Sequence, residues 1–68
     1  MSDGVPRMES LPERIREVAG IMMSIGIDMD YIGGLGELGA HGRELMGAAG
    51  IARKWADSIE AELVEARR

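Results

Sequence analysis

From Tyr31 to Ala66 the chain carries one stripe whose members recur at alternating steps of four and three: Tyr31, Leu35, Leu38, Gly42, Leu45, Ala49, Ala52, Ala56, Ile59, Leu63 and Ala66. That spacing keeps one side of an α-helix turned toward a partner helix. Several members are small, so the stripe predicts a helix packed closely against its neighbour. It specifies an architecture and leaves the biochemical role open.

A second, shorter stripe precedes it: Leu11, Ile15, Val18, Met22 and Ile25, again in steps of four and three. Ser10-Leu11-Pro12-Glu13 reads as a helix start, with Ser10 placed to cap, Pro12 in the first turn and Glu13 able to close a capping box. The first helix is therefore expected over about residues 11–25, following a mobile tail over residues 1–9. Ser24-Ile25-Gly26-Ile27-Asp28 reads as the turn, with Gly26 ending one helix and Asp28 capping the next, and Asp30 favourable in that helix's first turn. So short a connection makes the two helices antiparallel neighbours. The second helix is crowded with glycine, and each interior glycine costs about 0.8–1 kcal/mol relative to alanine. Leu38-Gly39 would suit a helix end, whereas the unbroken register favours a continuous or merely kinked helix.

The expected fold is all-α: residues 10–68 form one antiparallel helical hairpin, with a short first helix and a long second one. At 1.5 Å per residue the first spans roughly 22 Å and the second about twice that, which leaves the stretch from Ile51 to Leu63 overhanging. A chain of 68 residues buries little core and normally leans on disulfides, a metal or a second subunit. Cysteine is absent and there is a single histidine, so a second subunit is the expected support. A homodimeric helical bundle, with coiled-coil-like packing, would cover the overhang.

Trp55 with Ala48, Ile51 and Ile59 forms another apolar strip beside the seam, and tryptophan is a typical interface anchor. The expected self-association surface is accordingly Leu45, Ala49, Ile51, Ala52, Trp55, Ala56, Ile59 and Leu63. On the first helix Ala19, Ile21 and Met23 widen the apolar sector beyond one stripe, and Ile21, Met22, Met23 and Tyr31 form the expected face for an outside partner.

The chemical motifs are weak. Gly34-Leu35-Gly36-Glu37-Leu38-Gly39 matches G-x-G-x-x-G, but no strand–turn–helix context surrounds it. Asp28, Asp30 and Gly33 echo the start of a calcium loop, yet Ile32 and Gly39 stand where two oxygen ligands belong. His41 with Glu37 and Glu44 at helical spacing flanks the apolar stripe and reads as solvated or interfacial. No nucleophile–base pair is evident among the serines and the one histidine. No catalytic residue, metal ligand or cofactor is expected, and the protein reads as a non-enzyme.

The net charge of −4 and two aromatic residues make nucleic acid an unlikely partner. A helical dimer presenting Arg14, Arg16, Arg43, Arg53 and Lys54 on one face is nevertheless the alternative reading. A membrane-active amphipathic peptide is a further one, disfavoured by the acidic balance. The longest charge-free run, Val18 to Ile27, is too short to span a bilayer, and Asp3 and Pro6 fall where a secretory signal would be basic and then apolar. The leading expectation is a small acidic cytoplasmic protein-interaction module: a regulator, adaptor or inhibitor of a larger protein, in the manner of phage or mobile-element proteins of this size.

Overall fold

The computed structural model of the chain describes residues 7–67. A single 3-10 turn over Met8–Ser10 leads into helix α1, Leu11–Gly33, and helix α2 follows over Glu37–Ala66. The two helices pack side by side as an antiparallel hairpin, and the molecule is a slab of 48 × 26 × 12 Å, one helix layer thick. Of the expected tail, Met1–Pro6 lies outside the described residues, whereas Met8 and Glu9 belong to the 3-10 turn.

The turn, centred on Leu35 where the sequence pattern put it on Gly26, lies nine residues later than expected. Gly26 does not end α1; it is buried in the middle of it. The chain reverses at Gly34-Leu35-Gly36, where Gly34 adopts φ 55°, a conformation that only glycine enters without steric cost. The Gly34 N–H donates to the Asp30 carbonyl at 2.8 Å and the Gly36 N–H to the Gly33 carbonyl at 3.0 Å. Three glycines in four residues outweigh a lone Gly26 as a chain reversal. Two local expectations fail with it. Asp28 lies inside α1 and caps nothing, and Asp30 is in the last turn of α1 instead of the first turn of the next helix. The break weighed between Gly33 and Gly42 is the inter-helix turn itself, and α2 is one helix from Glu37 onward.

At the start of α1 the capping box is absent. The Ser10 hydroxyl donates backward to the Arg7 carbonyl at 2.9 Å, within the 3-10 turn, and makes no cap to the helix. Pro12 keeps its expected place in the first turn.

The seam is built of small residues. On α1 the buried positions are Pro12, Ala19 and Gly26, seven apart; on α2 they are Gly39, Gly42, Ala49, Ala52 and Ala56. Ala19, Ala49 and Ala52 form the core cluster, with Ile15, Met22 and Met23 packed against it. A Cβ added to Gly26 would come 2.7 Å from the Gly42 carbonyl oxygen, and one added to Gly42 would come 2.6 Å from that of Gly26. The helices therefore meet backbone to backbone, which only glycine at both positions permits. No large side chain is fully enclosed among the described residues.

With 23 and 30 residues the helices differ by about two turns, not twofold. The stretch from Ile51 is no free overhang, because the first turns of α1 lie alongside it, Arg16 reaching Asp57 and Glu60. Two members of the expected stripe, Tyr31 and Leu35, face solvent at 90% and 101% exposure, since they precede or form the turn.

Gly42→Ala should destabilise the hairpin by about 1–3 kcal/mol, the usual cost of overpacking. Gly47→Ala, with nothing within 4 Å of its new methyl group, should instead stabilise it by about 0.5–1 kcal/mol. Thermal unfolding followed by circular dichroism reads both; equal and opposite-to-expected signs would place the crossing elsewhere.

Candidate functional site

Small seams have a geometric consequence. Because Pro12, Ala19 and Gly26 occupy the contact line, the bulky stripe of α1 stands beside it, on one side. Leu11, Ile15, Val18 and Met22 form one wall of a groove of about 600 Å³, and Ala48, Ile51, Ala52 and Trp55 form the other, with Arg14 at its edge. Val18 and Ile51 are about half exposed, and Trp55 is 61% exposed. Ile25, the next member of the four–three series on α1, is also exposed. The apolar part of this side covers the half of the hairpin away from the turn; toward the turn the same side of α2 carries the exposed Glu37, His41 and Glu44.

The other side carries the ion pairs, with the exposed Ile27 and Val64 beside them. Rotating roughly 100° per residue along each helix carries Arg16, Glu13 and Asp57 past the seam to the opposite flank. There Arg16 Nη2 donates to Asp57 Oδ1 and Glu60 Oε1, each at 2.7 Å, joining the beginning of α1 to the end of α2. Hydrogen bonding from Arg16, then its charge, holds the Glu60 carboxyl below the ordinary glutamate range. The same bonds, that to Glu60 first, hold the Arg16 guanidinium more firmly protonated than usual. At the turn end Arg43 Nη1 donates to Asp30 Oδ1 at 2.6 Å and to the Gly34 carbonyl at 3.1 Å. An aspartate at a helix C-terminus is disfavoured by the helix dipole, and the guanidinium offsets it while satisfying one of the carbonyls that α1 leaves without a helical partner.

The expected self-association residues divide between two roles. Ala49, Ala52 and Ala56 are buried inside the hairpin, and Leu45, Ile59 and Leu63 are half-buried. Ile51 and Trp55 project into the open groove with Ala52 at its floor. The expected partner face does not come together: Met22 lines the groove, Met23 packs on the core from the opposite flank, Ile21 faces away from the seam, and Tyr31 is at the turn end. Leu11 and Val18 belong to the groove and were assigned in the sequence only to the inter-helix stripe. Their neighbour Ala19, an unremarkable alanine, is what occupies the seam.

The remaining motifs resolve structurally. Gly34 and Gly36 make the hairpin turn, and Gly39, inside α2, packs against it so closely that a Cβ there would overlap the Gly34 carbonyl. Glu37 in the first turn of α2 would repel a phosphate. His41 Nδ1 lies 3.1 Å from Glu44 Oε1 on the surface. Among the described residues no three His, Asp or Glu side chains cluster as metal ligands, and no helix is long and apolar enough to cross a membrane.

No protein-family model matches the chain, and neither does any curated protein sequence or solved structure.

Arg16→Ala should return the Glu60 titration, followed by carbon-detected NMR, upward toward the ordinary glutamate value of about 4.3. Because the folded Glu60 carboxyl is depressed, the wild type's advantage in stability is present above that range and fades as the pH falls through the depressed value. An unmoved Glu60 titration in the variant would show that the ion pair does not form in solution.

Proposed function

We propose that this chain is a non-enzymatic protein–protein interaction module, a cytoplasmic regulator, adaptor or inhibitor of a larger protein, and that it works as a homodimer. One observation carries the reading. The side chains sealed within the hairpin are small, while Val18, Ile51 and Trp55 stand open around one apolar groove. A hairpin one layer thick with an alanine core has little hydrophobic stabilisation of its own, and its bulky residues can be buried only by another surface.

A second copy suits that surface. The groove occupies the half of the 48 × 26 Å outline away from the turn, an area on the order of the roughly 800 Å² per partner of a standard interface. The opposite flank carries the Arg16 and Arg43 ion pairs and stays in water. With one apolar groove per copy, two copies pairing groove to groove close a four-helix bundle.

The nucleic-acid alternative receives no support from the cations. Arg16 and Arg43 are engaged with carboxylates near opposite ends of the hairpin and Arg14 edges the groove, which leaves Arg53 and Lys54 as the two of the five with neither role among the described residues. Phosphate binding needs free cations converging on one face.

Light scattering across a concentration series tests the dimer. The wild type should give twice the 7.3 kDa chain mass, and Ile51→Lys and Trp55→Ala should each lower it toward one chain, since both replaced side chains are exposed in the hairpin. A helical wild type that stays at 7.3 kDa at every concentration would overturn the dimer.

A further inference from the structure

We propose that the turn end of the hairpin is a second docking site: a rigid apolar knob that seats in a hydrophobic socket with a basic rim on another protein. The inference rests on reading the chain as an interaction module, in which the groove is covered by the second copy and the knob is left for the target.

Tyr31, Ile32 and Leu35 are the three most exposed large apolar side chains of the hairpin, at 90%, 74% and 101%. They stand within five residues at the end remote from the start of α1 and the end of α2, and Leu35 is the tip of the reversal itself. None of them lines the groove. A dimer closed over Val18, Ile51 and Trp55 therefore leaves them in water. Three large apolar groups, two in the last turn of α1 and one at the reversal, stand in water with no packing role inside the chain.

The tip is also stiff. Arg43 binds both the Asp30 carboxylate and the Gly34 carbonyl. The Gly36 N–H donates to Gly33, and the backbones of Gly33 and Gly34 press directly on that of Gly39. A loop already held in one conformation loses little entropy on binding.

Charge selects the partner. Between residues 20 and 50 stand four carboxylates, Asp28, Asp30, Glu37 and Glu44, against Arg43 as the sole Lys or Arg, and Arg43 is engaged with Asp30. The other seven Lys and Arg residues lie outside that stretch. Asp28 and Glu37 are exposed, and bracket the knob in sequence, with no ion-pair partner found among the described residues. An apolar tip bordered by carboxylates complements an apolar socket bordered by Lys or Arg. The same carboxylates repel an anionic lipid surface and the tip of a second copy.

The test uses the full-length, isotope-labelled protein and NMR of its assigned amides. Two designed helical peptides serve as probes, each with a leucine face, one bordered by lysine and the other by glutamate. Vesicles of phosphatidylcholine with phosphatidylglycerol are the third probe. The lysine-bordered peptide should shift the amides of Tyr31 to Leu35, less so at raised salt, while the Trp55 indole signal stays in place. Tyr31→Ser combined with Leu35→Ser should weaken that binding about tenfold or more, with the helix content and the mass in solution unchanged. Tip amides that stay silent with this peptide, that respond equally to the glutamate-bordered one, that respond to the vesicles instead, or that move with protein concentration alone would each overturn the knob. A silent tip on a dimer removes only this proposal. A monomer whose Trp55 indole takes up the peptide removes the dimer as well.

Discussion

The approach of Gly26 to Gly42 sets the rest of the structure. When two helices touch backbone to backbone, the residues along the contact line must be small, and they are: alanine, glycine and a helix-starting proline. Close contact maximises dispersion between the backbones but leaves almost no volume in which to enclose a large side chain. The bulky apolar residues are consequently displaced from the seam, and Leu11, Ile15, Val18, Met22, Ile51 and Trp55 gather on one flank, where α1 and α2 together form the groove. Tight pairing inside the chain and an apolar surface outside it are two results of one geometric choice.

The ion pairs complete this division. Arg16 and Arg43 act near the two ends of the hairpin, each tying one helix to the other on the flank opposite the groove. Exposed ion pairs add little stability. Their placement fixes register and marks which side remains in water. Both the dimer and the docking knob proposed above use the sidedness that results: the groove for the second copy, the turn end for a target.

Helical content, a hairpin and the small-residue seam of α2 were legible in the sequence, because Gly42, Ala49, Ala52 and Ala56 sit on an unbroken four–three register. The seam of α1 was not. Pro12 and Gly26 carry no hydrophobic signal and Ala19 only widens the apolar sector, so Leu11, Ile15, Val18 and Met22 dominate the pattern, and they border the groove. The turn was misplaced for a related reason. An isolated Gly26 looks like a helix end, and its use as a contact surface depends on Gly42, sixteen residues away, which no local rule consults. Extending the stripe back to Tyr31 and Leu35 was coincidence of spacing, since a heptad count carries straight through a chain reversal.

By itself the sequence determined that this chain is helical, that it reverses once and that α2 presents a narrow, small-residue edge to a neighbour; these follow from periodicity and side-chain size, which are local. Tertiary structure alone decided where the reversal falls, which stripe is buried and which is left open. Those depend on the distance between two backbones, and that distance is set by pairs of residues far apart in the chain.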